Sequence, residues 1–105
     1  MIHIIRERAT SSEIQEMLEA LETYIKLAVD IDREVLHADC EAVLLEDGSA
    51  HEFIWGADWN PTAQQVTFES LINIRPRQNN PSMEILDPGI RDKVARITLK
   101  RLGNL

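Results

Sequence analysis

The sequence predicts an α+β fold: a mainly antiparallel sheet of about four to six strands, with an N-terminal and a C-terminal helix packed on one face. Three observations lead there. Two segments, one near each end, repeat apolar residues at helical spacing behind a start signal. The stretches between them mostly alternate apolar and polar residues, the period of a half-buried strand. Those stretches also follow one another through short turns, which favours antiparallel neighbours.

Met1 to Ile5 reads as a short first strand. Thr10-Ser-Ser-Glu13 has the capping-box pattern, in which a hydroxyl and a carboxylate each satisfy a backbone N–H at a helix start. Behind it Ile14, Met17, Leu18 and Leu21 share a helical face, while Glu16, Glu19 and Glu22 point elsewhere. From Tyr24 the period changes to two. Ile25, Leu27, Val29 and Ile31 alternate with Lys26, Ala28, Asp30 and Asp32, as in a strand with one buried face.

The runs 41–46 and 52–55 flank Asp47-Gly48-Ser49, and an Asp-Gly pair so placed predicts a hairpin, since its turn residues need positive φ. Asn60-Pro61-Thr62 breaks regular structure. Val66, Phe68, Ser70, Ile72 and Ile74 then alternate with polar neighbours as a further strand, ended by Pro76, and residues 75–81 form a polar loop. Residues 83–86 are a candidate edge strand. Asp87-Pro88 supplies an N-cap and a favoured first helical residue, and Gly103 a stop, so the last helix spans Pro88–Leu102.

The 105 residues leave room for one compact domain, 1–105, around one core. With 44% hydrophobic and 28% charged residues the composition is that of a globular chain, not a disordered or membrane one. No apolar run is long enough to cross a bilayer. The N-terminus lacks the basic and then apolar pattern of an export signal. Cys40, the single cysteine, forms neither an internal disulfide nor a multi-cysteine zinc site. The expectation is a cytoplasmic protein with no cofactor.

The net charge of −7 is unevenly placed. Residues 1–60 hold 14 Asp and Glu against 4 Lys and Arg, whereas residues 61–105 hold 4 against 7. Such an acidic body disfavours general nucleic-acid binding. It leaves room for a basic partner, or for a second copy meeting acidic face to basic face.

Taking Asp47-Gly48 as the turn sets a register in which Cys40 faces Trp55, Ala42 faces Phe53 and Leu44 faces His51. One face then carries Ala38, Cys40, Ala42, Leu44, Phe53, Trp55 and Ala57, a core face. The other sets His37 opposite Asp58, with Asp39 two residues along and Glu41 and Glu52 beyond. One imidazole and two carboxylates suit a divalent metal, so His37, Asp39 and Asp58 are candidate ligands. Clustered carboxylates also raise one another's pKa and can yield a general acid. The competing and heavier reading is an acidic face turned to water. The assignment depends on register, because a slip of one residue sends these side chains to the core face. Cys40 and His51 share a face but lie roughly 13 Å apart along it, too far to act together; the cysteine reads as a buried structural one.

Trp55 reads as core. Trp59, beside Asn60-Pro61, is expected on the opposite side, half-exposed and a candidate contact residue. Arg75 and Arg77, in the loop with Gln78, Asn79 and Asn80, are a candidate anion site, although no Gly-rich cradle or Lys-Ser/Thr pair accompanies them. In the last helix Ile90, Val94 and Ile97 form one apolar stripe, and Ala95, Leu99 and Leu102 a second, nearly opposite. Two stripes predict burial on both sides. Trp59, Ala95, Leu99 and Leu102 are therefore the candidate interface of a symmetric homodimer, the commonest oligomer.

The blocks Leu36-His-Ala-Asp-Cys-Glu-Ala-Val-Leu-Leu-Glu-Asp-Gly-Ser49, Trp55-Gly-Ala-Asp-Trp59 and Ser70-Leu-Ile-Asn-Ile-Arg-Pro76, with Ser82-Met-Glu-Ile85 and Asp87-Pro88, resemble a family of short bacterial proteins known only as a domain of unknown function. The resemblance implies one compact domain and brings no activity or functional residues with it. The residues themselves contain no GxSxG, HExxH or GxGxxG pattern. The favoured expectation is a non-enzymatic, self-associating interaction module, with an unidentified protein partner also open. The alternative is a small metal-dependent enzyme, such as a hydrolase, built on His37, Asp39 and Asp58. Nucleic-acid binding through the Arg75–Arg77 loop and the last helix stands third.

Overall fold

In the computed structural model, which describes residues 4–15, 25–38 and 41–103, five strands form one sheet. They are β1 (Ile4–Ile5), β2 (Ile25–Asp30), β3 (Val35–Ala38), β4 (Ile54–Asn60) and β5 (Gln65–Thr67). Their order is β1-β3-β2-β4-β5, with every neighbouring pair antiparallel. Helix α1 covers residues 11–15 of the described chain, α2 is Ala42–Glu46 and α3 is Pro88–Leu102. The expected residues Met1, Met17, Leu18, Leu21, Tyr24, Asp39 and Cys40 lie outside the described residues.

The sheet is an α+β scaffold of the expected class. Its main core face carries Ile25, Leu27, Val29, Leu36, Ala38, Trp55, Ala57 and Trp59. Val94, Ile97 and Leu102 of α3 and Ile14 of α1 pack on it, so both terminal helices cover the same face. Among the described residues, part of the other face is covered by Leu44 of α2 with Ile4 and Ile72, over Ala28, Val35 and Ile54.

Local chemistry explains the helix ends. The Thr10 and Glu13 side chains reciprocate as expected, with Thr10 N–H donating to Glu13 Oε1 at 2.9 Å and Glu13 N–H to Thr10 Oγ1 at 3.1 Å. Asp87 caps α3 by accepting from the N–H groups of Gly89 and Ile90, with Pro88 next to it. At the far end Lys100 and Arg101 complement the helix dipole. The N–H of Gly103 donates to Leu99 O and that of Ala9 to Arg101 O, satisfying late carbonyls. Among the described residues no helix is long and apolar enough to cross a membrane.

Three expectations of secondary structure are corrected. Asp47-Gly48 is not a hairpin turn, because residues 42–46 are helical. Gly48, at φ +104, donates to Leu45 O while Ser49 donates to Leu44 O, the two bonds of a Schellman helix stop. The same positive-φ glycine serves either structure. The hairpins lie elsewhere, at 31–34 and 61–64. Each follows an Asp or Asn that accepts backbone N–H bonds from the turn, Asp30 from Asp32 and Arg33, Asn60 from Ala63. Each closes on a residue of positive φ, Glu34 or Gln64.

The long strand expected through Ile74 is also cut short at Thr67. Phe68 O still accepts from Ile85 N–H, Ser70 N–H donates to Met83 O, and Glu69 bridges Glu84. The expected edge strand at 83–86 is reduced to that bridge. Leu71–Asn73 and Pro76–Gln78 then wind as 3₁₀ turns.

Candidate functional site

The segment 68–86 is held by its own buried polar side chains. β5 leaves β4 before Gly56, so that residue has no strand on one side. Asn73 takes its place: Gly56 N–H donates to Asn73 Oδ1 at 2.7 Å and Asn73 Nδ2 donates to Gly56 O at 3.0 Å. The same Nδ2 reaches Met83 O at 3.0 Å. Asn80 Nδ2 donates to the carbonyls of Asn73, Ser82 and Glu84, and its Oδ1 accepts from Leu86 N–H. Both asparagines are buried, and both spend their amides on backbone groups of the sheet and of this segment.

This segment presses close to the sheet at Gly56. A Cβ built there would stand 2.3 Å from Ser70 Cβ and 2.9 Å from Ile72 Cγ1, so glycine is needed for the approach. The result is a walled cleft of about 740 Å³ on the partly covered sheet face. Lys26, Ala28 and Asp58 line its floor, Glu41 and Ala42 one wall, and Glu69, Ser70, Leu71, Ile72 and Met83 the other.

The lining is polar and apolar in nearly equal measure and its charge acidic, with Glu41, Asp58 and Glu69 against Lys26. Burial is the main influence that raises the Asp58 carboxyl above its usual pKa, and Glu69 adds to it. Lys26 and a hydrogen bond from Thr67 pull the other way. The apolar wall is open to solvent: Leu71 is 73% exposed and Met83 40%. Ser70 Oγ lies 3.4 Å from Ile72 N–H, which it accepts as the cap of its 3₁₀ turn.

Of the expected metal constellation, the two described members, His37 and Asp58, stand apart. His37 pairs with Ala28 on β2, and Asp58 pairs with Lys26 on that same strand from its other side. The two share a sheet face but stand two strands and two residues apart, roughly 12 Å, whereas ligands of one metal lie within about 2.2 Å of it. His37 is also buried. Asp39 lies outside the described residues, among which no group of three His, Cys, Asp or Glu is placed to hold a metal.

Of the candidate anion site, Arg75 is engaged within the fold. Its guanidinium is buried, donates to the carbonyls of Ile72, His51 and Ile54, and stacks 4.6 Å from the centre of the Trp55 ring. Those donors tie the loop to the sheet. Arg77 is exposed nearby. The candidate interface is divided as well. β4 continues straight through Asn60, so Trp59 shares the face of Trp55 and is fully buried, as is Leu102 in the same core. Ala95 is half-buried and Leu99 is 43% exposed, on the outward side of α3.

Of the cleft, the sequence singled out Asp58 as a candidate ligand and Glu41 only as a neighbour on its face. Lys26, Glu69, Leu71 and Met83 carried no signal beyond strand alternation, because a loop rather than a strand brings the last three to the sheet. No curated protein matches the chain, and no solved structure does either. The family model described as a protein of unknown function, DUF5674, matches residues 3–101, and the chain belongs to that family.

Proposed function

We propose that this chain is an interaction module that acts by binding rather than catalysis, associating with further copies of itself through the cleft. The observation that carries the reading is the exposure of Leu71, at 73%, on a turn whose backbone is pinned by Asn73. A fixed apolar wall beside Met83, rimmed by carboxylates, has the composition of a contact surface, since apolar area left in water forgoes about 25 cal/mol per Å². Ser70, the hydroxyl in the cleft, is used to cap a turn.

Sedimentation equilibrium of the full chain tests the reading. The average mass should rise above 12.0 kDa with concentration, and Leu71→Ser should return it to the monomer. A wild-type mass fixed at the monomer value at every concentration removes the reading.

A further inference from the structure

Resting on that reading, we infer that the cleft receives the outward face of α3 from a second copy, so that copies join head to tail. The two surfaces are complementary in charge. The outward side of α3 presents Lys93, Arg96 and Lys100 around the exposed Leu99, with Asp92 the one opposing charge among them. The cleft presents the reverse, the carboxylates of Glu41, Asp58 and Glu69 around the exposed Leu71 and Met83, with Lys26 the one opposing charge in its lining. A basic stripe with one apolar residue thus meets an acidic groove with an apolar wall, the arrangement by which amphipathic helices seat in grooves.

Size agrees. A helix about 10 Å across that rises 1.5 Å per residue fills 740 Å³ with roughly six residues. Lys93, Arg96, Leu99 and Lys100 lie on one side of just over two turns, and part of that cylinder stays on its own sheet. The contact cannot form within one molecule, because α3 packs on the main core face and the cleft opens on the other.

That opposition also fixes the symmetry. A two-fold dimer needs the same patch on both partners, whereas a groove on one face and a helix on the other make a heterologous contact that propagates or closes into a ring. Lys100 lies 3.6 Å from Glu34 of its own chain, so Lys93 and Arg96 are the residues available to test.

The test compares the full chain with Glu69→Lys and with Arg96→Glu, all exposed positions, by sedimentation velocity from about 10 µM to about 1 mM. Circular dichroism first establishes that each variant is folded, with Glu69→Gln and Arg96→Gln as milder replacements if either is not. Wild type is expected to grow past a dimer with concentration and to shrink with added salt. Each variant alone should stay monomeric, and mixing the two should restore association, since one keeps a basic helix and the other an acidic cleft.

A wild type that stops at a closed dimer, or association that survives either variant, overturns the helix-in-cleft contact and leaves self-association standing. A wild type that is monomeric throughout overturns both.

Discussion

Asn73 completes the hydrogen bonding of Gly56, returning both a donor and an acceptor to one backbone residue as a neighbouring strand would. The side chain thereby substitutes for the strand that β5 ceases to be after Thr67. Where an amide does the work of a strand, the following chain is released from the sheet plane, and here it rises to become a wall. The cleft is thus a consequence of one asparagine meeting one glycine.

Replacing Asn73 by Ala leaves Gly56 N–H and C=O buried without partners. At about 1–3 kcal/mol for each buried group left unsatisfied, the melting midpoint should fall by roughly 10 °C or more, given about 4–8 °C per kcal/mol for a domain of this size. Thermal unfolding by circular dichroism checks it. A fall of only a degree or two contradicts the role given to this side chain.

Gly56→Ala puts a methyl group where Ser70 already stands. Overpacking of this kind destabilises by about 1–3 kcal/mol, and Ser70→Gly removes the nearest colliding atoms. The double variant should therefore be more stable than the sum of the single effects, a coupling read from a double-mutant cycle. Additive effects mean that the loop does not rest on Gly56.

Arg75→Lys keeps the charge but loses the planar fork that serves three carbonyls and stacks on Trp55. It should lower the melting midpoint and alter tryptophan fluorescence, whereas Arg77→Lys should do neither. Titration of the wild type with inorganic phosphate should not shift the midpoint. A phosphate-dependent rise abolished by Arg75→Lys would support the anion-site reading instead.

Asp58 makes a prediction about pH. Its folded carboxyl is raised above the usual 3.8, chiefly by burial, so the folded state holds the proton more tightly than the unfolded chain. Stability from this group therefore falls as pH climbs from the unfolded value through the raised folded one, and the penalty is complete above it. Asp58→Asn should raise the melting midpoint at neutral pH, with the gain fading below about pH 4. Scans at low protein concentration, where association contributes little, test this. A gain that is the same at every pH contradicts it. Asp47 has the opposite sign. Bonds from Arg6 and Arg33 lower its pKa, and their support is present above the unfolded value and lost as pH falls through the folded one.

What the sequence revealed was local. The α3 boundaries are legible because Asp87, Pro88 and Gly103 act on the backbone beside them, and β2 because its period of two spans one strand. The capping box at Thr10 is equally self-contained. The failures share a different cause. Asp47-Gly48 reports a positive φ, and whether a helix or a strand precedes it depends on distant packing. Glu34 and Gln64, which close the real hairpins, carry no turn signature.

Register follows from this. With the hairpin displaced, β4 pairs with β2 instead of the chain before it, so His37 and Asp58 separate while keeping a common face. The cleft was legible only at Asp58 and Glu41, since its far wall comes from a loop shaped by buried amides. The Arg75 to Asn80 stretch looked like exposed polar chemistry. Three of its side-chain roles, at Arg75, Gln78 and Asn80, are hydrogen bonds to backbone carbonyls.

A dilution series of ¹H–¹⁵N correlation spectra on the full chain at low salt shows residue by residue whether the cleft is a self-association surface. Concentration-dependent shifts are expected at Lys26, Asp58, Glu69, Leu71 and Met83, and at Lys93, Arg96 and Leu99 on the opposite face. Spectra that do not change with concentration, or changes confined to residues outside both surfaces, would contradict that role.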